Sequence, residues 1–218
     1  MKPTPQPCNL EWVAKAASKD ATRPVLAGVF ADDKVLVATD GHRLHLAPNL
    51  MGSSKRGEDG VALPPGIWLI GKQAGDVQRV EGNYPNYETL FQKNTDFGWV
   101  IQSVEGMLSL ARAGEAVHDG GNGGFLCFHA QSDEPIFISP SFVRRTLEGM
   151  RQSGGPIYIS APTALSPVLF YQPESGRRAI VMPVRTAGSV NEWGIFKVGE
   201  LVAGNTKSDV EIPLEVAS

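Results

Sequence analysis

The sequence predicts an α+β fold of antiparallel sheets with helices on one face. Three observations predict it. The stretch Val35-Leu36-Val37-Ala38-Thr39-Asp40-Gly41-His42-Arg43-Leu44 reads as two strands folded back around Asp40-Gly41, because a type I′ turn needs φ > 0 at both central residues and Asp and Gly tolerate it. A helix followed by strands then recurs along the chain, up to three times, without sequence repetition. In the last of these units Ser139 and Pro140 stand at a helix start and Gly154 just past its end, the usual polarity of helix punctuation.

In chain order, Asn9 is placed to cap a helix over Leu10–Ser18. Leu10, Val13 and Ala17 recur at helical spacing with Trp12 and Ala16 beside them, while Glu11, Lys15 and Lys19 point away. Strands are expected at Val25–Phe30, Val35–Thr39 and His42–Ala47. Pro3, Pro5 and Pro7 deny ladder donors and argue against a strand ahead of the helix. Pro48–Gly66 is loop-like around Gly52–Gly60, Ile67–Ile70 is a short strand, and Gly71–Gly82 is charged and weakly periodic. Tyr84–Phe91 carries three aromatics and few breakers, which predicts an ordered junction. Trp99–Gln102 is a strand, and Ser103 caps a helix to about Ala113 whose stripe is Val104, Met107, Leu108 and Ala111. Asp119–Gly124 is a turn. The strands Phe125–Ala130 and Ile136–Ile138 lead to a helix from Pro140 to Gln152, then strands Ile157–Ser160, Val168–Tyr171 and Ala179–Pro183.

The 218 residues, 42% hydrophobic and 20% charged, suit one large or two modest globular domains. Cys8 and Cys127 offer neither a disulfide framework nor metal-ligand spacing. No apolar run approaches a membrane span and the start lacks a signal-peptide core, so a cytoplasmic protein is expected. A net charge of −3 disfavours a uniformly basic nucleic-acid binder but allows positive charge segregated on one face. Gly120–Gly124 lacks the Gly-Lys-Ser/Thr ending of a phosphate loop and precedes a strand. Asp40, His42, His45 and His118 do not assemble into a metal site, because His42 and His45, three apart on a strand, point to opposite faces. Hydrolase motifs are absent. The reading is a non-enzyme with no cofactor and no metal.

Ala38-Thr39-Asp40-Gly41-His42-Arg43-Leu44 resembles the signature hairpin in the middle domain of the bacterial sliding clamp, the β subunit of DNA polymerase III. Thr22-Arg23-Pro24-Val25-Leu26, Tyr84-Pro85-Asn86-Tyr87 and Val181-Met182-Pro183-Val184-Arg185 fall in that family's order, so the resemblance covers residues 9–187. It implies a DNA-clamp-like fold of repeated βαβββ units, two per domain, with helices lining a ring and sheets outside. It also implies a processivity factor that encircles or rests on double-stranded DNA without sequence preference. Polymerases and other replication or repair proteins would dock through short peptide motifs rich in Gln, Leu and Phe. The matching pocket lining is Leu26, Thr39, Gly41, His42, Arg43, Leu44, Pro85, Leu90, Phe142 where the family usually has Tyr, Ile180, Val181, Met182, Pro183, Val184 and Arg185. A DNA-facing set of Lys15, Lys19, Arg112, Arg144, Arg145 and Arg151 lies on the polar sides of the three helices, where phosphate contacts carry no sequence information.

The departures from the family set the expected organisation. A full βαβββ unit needs on the order of 50 residues, and residues 49 to 83 supply 35. The expectation is an abbreviated middle-like domain at 1–83, a clamp-like C-terminal domain at 84–187, and an extension at 188–218 packed on the body through residues such as Trp193, Ile195, Phe196, Val198 and Leu201. A homo-oligomer, three two-domain copies to a ring, is the assembly such domains imply. The alternative is a clamp-derived module that forms no ring and binds clamp-interaction peptides or competes with a full clamp.

Overall fold

The computed structural model describes residues 9–49, 63–71, 76–92, 97–117, 124–130, 132–151, 154–185, 195–198 and 201–204. The elements run α1 (Asn9–Ala14), α2 (Pro24–Ala27), β1 (Val29–Ala31), β2 (Val35–Thr39), β3 (Arg43–Pro48), β4 (Gly66–Ile70) and β5 (Val77–Val80). They continue with α3 (Glu88–Gln92), β6 (Trp99–Ile101), α4 (Val104–Ala116), β7 (Phe125–His129), β8 (Pro135–Ile138), α5 (Pro140–Met150), β9 (Tyr158–Ser160), β10 (Val168–Gln172), β11 (Arg177–Val181), β12 (Ile195–Lys197) and β13 (Val202–Gly204).

Ten strands form one sheet in the order β13-β6-β9-β10-β11-β3-β2-β1-β4-β5, and β12-β7-β8 form a second. The large sheet is antiparallel throughout. It crosses from the second half of the chain to the first where β11 meets β3, pairing Ile180 with Leu44 and Val181 with Arg43. Its central strands are buried on both faces, and alternate residues enter different cores. Leu36, Ala38, Ala47, Val168, Phe170, Ala179 and Val181 meet Trp12 of α1, Met107 and Leu108 of α4, and Val143 and Leu147 of α5. Val35, Val37, Leu44, Leu46, Leu169, Tyr171 and Ile180 meet Tyr87, Phe91 and Phe97 on the other side. Burial on both faces explains why β2 and β10 read as continuous apolar runs instead of alternating ones.

Ser103 caps α4 by accepting a 3.0 Å bond from the Gly106 amide, and Met107, Leu108 and Ala111 are its buried stripe. Pro140 opens α5, while the Ser139 hydroxyl bonds to the Ser141 hydroxyl and caps no backbone amide of the helix. Gly154 takes a φ of +72° past the helix end.

Four local expectations are corrected. Val25–Phe30 is not one strand: Pro24, with its φ preset for a first helical position, starts α2, and the extended Gly28 delays the strand to Val29. The Asp-Gly turn is not type I′, since Gly41 alone has positive φ at +91° and Thr39 pairs with Leu44 across a longer loop. Asp40 stabilises that loop by accepting 3.0 Å bonds from the His42 and Arg43 amides. Asn9 is a cross-link, donating to the Pro48 carbonyl and accepting from Arg177, and α1 ends at Ala14 in a turn. The charged stretch 71–82 contains β5, whose exposed edge position hides it from a burial pattern. The centre of the Pro48–Gly66 loop, the Asp119–Gly123 turn, Gln152, Cys8, His118 and Trp193 lie outside the described residues.

Candidate functional site

The β2–β3 loop is built around one carboxylate and one guanidinium. Asp40 holds Arg43 at 3.1 Å, and Arg43, 4% exposed, donates 2.6 Å to the Lys15 carbonyl. Its guanidinium lies 4.8 Å from the centroid of Phe142. Burial lowers the proton affinity of Arg43, the Asp40 charge opposes this, and the nearby Arg145 reinforces it. The Thr39 hydroxyl donates to the Arg43 carbonyl and receives the Gly41 amide. The Met182 amide donates 2.8 Å to the His42 carbonyl, continuing the β3–β11 ladder past its last pair. Residues 39–43, 142 and 182 therefore meet at one end of the sheet.

The expected pocket residues divide between the two sheet faces. Leu44 and Ile180 belong to the core beside Tyr87, with Leu90 packed against it. Val181 lies in the opposite core, against which Phe142 packs. Arg43, Leu44, Ile180 and Val181 are buried, so they form the floor and supports of the hairpin end. Gly41, His42, Met182 and Arg185 are exposed, and Thr39, Phe142, Pro183 and Val184 are half-buried. Met182, 37% exposed, is a large apolar side chain left open at this rim. Pro85 is exposed and Leu26 half-buried on other parts of the chain.

The six expected DNA-facing cations are not equivalent. Arg144 is held at 2.8 Å by both Glu115 and Glu148, which raise its proton affinity, and Arg151 pairs with Glu105 at 2.5 Å. Lys15, Lys19, Arg112 and Arg145 form no ion pair among the described residues. α1, which ends just before Lys15, is tied to α5 by Trp12, whose indole donates 3.2 Å to the Arg145 carbonyl.

Sequence reasoning missed the cluster behind this surface. Trp12 stacks on His45 at 4.4 Å, and Arg177 lies 5.3 Å from the Trp12 ring while donating to the Gly149 carbonyl and to Asn9. His45 contacts the Trp12 carbonyl at 2.9 Å and the Thr146 hydroxyl at 3.3 Å. Burial drives its pKa down to about 3, so it is neutral. The available signal was Gly149 within an otherwise good helix, since only a missing Cβ admits the Trp12 ring there. A cavity of about 470 Å³, on the other side of the first half, is lined by Phe30, Asp32, Arg79, Glu81, Tyr84 and Tyr87 among others. It shares only Pro85 with the expected pocket.

Among the described residues no group of His, Cys, Asp and Glu side chains is arranged to hold a metal ion, and no helix is long and apolar enough to cross a membrane.

No protein-family model matches the sequence, and no curated protein matches it. Solved structures do. The DNA polymerase III β subunit of Borrelia burgdorferi, in complex with a natural product, superposes with a TM-score of 0.58 at 17% identity, over 83% of this chain and 61% of that one. The Thermotoga maritima β subunit gives 0.58 at 18%, over 86% and 68%. The Bartonella birtlesii sliding clamp bound to griselimycin gives 0.57 at 18%, over 85% and 68%. The chain has the fold of these clamps in abbreviated form, spanning between 61% and 68% of their length.

Proposed function

We propose that this protein is a non-enzymatic, clamp-derived accessory of DNA replication or repair. It rests on double-stranded DNA through Lys15, Lys19, Arg112 and Arg145 and recruits polymerases or other proteins by binding their peptide motifs at the hairpin end. The domains divide at residue 83, the first being the abbreviated one. One observation carries the reading: the loop of residues 40–43, Phe142 and Met182, far apart in sequence, are joined by the Met182–His42 bond and the Arg43–Phe142 contact on a clamp-type sheet. The exposed Met182, joined to the hairpin loop by its bond to His42, gives an adaptable apolar contact, and the exposed His42 supplies a polar group for orientation.

The test is titration of a fluorescent peptide rich in Gln, Leu and Phe. The expected outcome is saturable binding that Met182→Glu weakens at least tenfold with the fold unchanged. Equal binding by wild type and variant removes the hairpin end as the docking site. Duplex DNA of any sequence is expected to bind with log affinity falling against log salt, at a slope of about −3 to −4 for four phosphate contacts.

A second reading, a peptide-binding module that leaves DNA to a full clamp and competes with it, is favoured by the pairing of Arg144 and Arg151 with glutamates. Peptide binding without salt-dependent DNA binding selects it.

A further inference from the structure

Sheet edges are templates for pairing with another chain unless something covers them. Here the last described strands cover two. β13 lies antiparallel on β6, pairing Val202 with Ile101, Ala203 with Val100 and Gly204 with Trp99, and the Gln102 amide donates 2.9 Å to the Leu201 carbonyl. β12 lies parallel on β7, pairing Ile195 with Phe125 and Lys197 with Cys127, and the Val198 amide donates 2.9 Å to the Cys127 carbonyl. The segment after β11 reaches the far side of β8, where the Val184 amide donates 2.7 Å to the Phe137 carbonyl. The outer strands of the large sheet are then β5 and β13 itself, and at three residues β13 is too short an edge to template further pairing well.

The fit of this segment is specific. A Cβ on Gly106 of α4 would come 2.6 Å from Leu201, and one on Gly124 would come 2.9 Å from Phe196. A Cβ on Gly114, the second glycine of that helix, would first meet Pro140 at 2.8 Å, with Phe196 in ordinary contact at 3.5 Å. A glycine inside a helix is about 1 kcal/mol less favourable than alanine, so Gly106 sacrifices helix stability where Leu201 docks. The pairing itself is short, three residues in each strand. Leu201 and Phe196 stay half-buried, in contrast to the fully enclosed β10 and β11.

We propose that β12 and β13 form a detachable edge cap. They occupy in cis the strand positions on β6 and β7 that would otherwise pair with a second copy of this chain, and so hold the protein monomeric. Extension of the sheets between copies then requires displacement of the cap. This goes beyond the proposed DNA and peptide contacts and does not depend on them.

The test uses the full chain and light scattering over a concentration series. Wild type is expected at 23.4 kDa throughout. The double variant Phe196→Asp/Leu201→Asp, folded by circular dichroism, is expected to rise to about twice that mass or more with concentration. Gly106→Leu provides a second route, improving α4 as a helix while evicting Leu201. A folded variant that stays monomeric, or a wild type that already associates, overturns the proposal. Hydrogen exchange on the wild type decides the case even if both variants unfold. The Gln102 and Val198 amides are expected to exchange at least tenfold faster than those of the β10–β11 ladder, through opening of the cap alone. Equal rates would make these strands part of the core and overturn the cap.

Discussion

The buried His45 makes stability depend on pH with a sign and size that follow from its surroundings. The imidazole has no solvent, stacks on Trp12, and lies near Arg43 and Lys15, whose charges add to the burial in disfavouring its protonation. The Trp12 carbonyl and Asp40 oppose them. Its folded pKa is about 3 against 6.5 for the free group. Between those values the unfolded chain binds a proton that the folded chain refuses, so stability is full above pH 6.5 and falls as the pH drops toward 3. At 1.36 kcal/mol per pH unit, the loss between pH 7 and pH 4.5 is about 2.5–3 kcal/mol from this residue. Urea unfolding of wild type and His45→Gln at both pH values isolates the term, because the carboxylates titrate alike in each. The difference in stability between the two proteins is expected to shrink by that amount at pH 4.5. An unchanged difference, or an imidazole that titrates near 6.5 in the folded protein by NMR, would refute the reasoning.

Asp40→Ala removes both the loop bonds and the counter-charge of a guanidinium that is nearly inaccessible. A loss of about 2–4 kcal/mol is expected in urea unfolding, with Asp40→Asn costing less because its amide oxygen still accepts the two amides. Gly149→Ala places a methyl 2.0 Å from the Trp12 ring. Overpacking of about 1–3 kcal/mol should lower the melting temperature by several degrees. Arg144→Ala, which breaks two half-exposed ion pairs, is expected to cost about 1 kcal/mol or less and to leave DNA affinity unchanged. Lys15→Ala combined with Arg145→Ala should flatten the salt dependence of DNA binding by about two contacts.

Local chemistry made much of the fold legible. The α+β class, β2, the Ser103 cap, the start of α5 and the Gly154 stop all rest on interactions within a few residues, so the sequence carries them directly. The resemblance to clamps lay in four short stretches, and the solved structures show that fold at 17–18% identity, where overall sequence similarity is silent. Errors had two sources. Asn9 was free to cap a helix until the distant Pro48 and Arg177 claimed its side chain, whereas Val25 was apolar enough for a strand but follows Pro24, which locally starts a helical turn.

The candidate site divides in the same way. The residue types at the hairpin end, and the list of cations on the helices, come from sequence. Which of them remain available does not. Arg144 and Arg151 are neutralised by Glu115, Glu148 and Glu105, and Arg43 is turned inward beneath Phe142. Leu44 and Ile180 serve a core on one sheet face while Val181 serves the other. Sequence alone determined the fold class, most of the long strands and the two longer helices, because periodicity and helix punctuation act at short range. Only tertiary structure decided which charge meets which and which face is open, because burial and pairing depend on contacts between residues as far apart as Trp12 and Arg145.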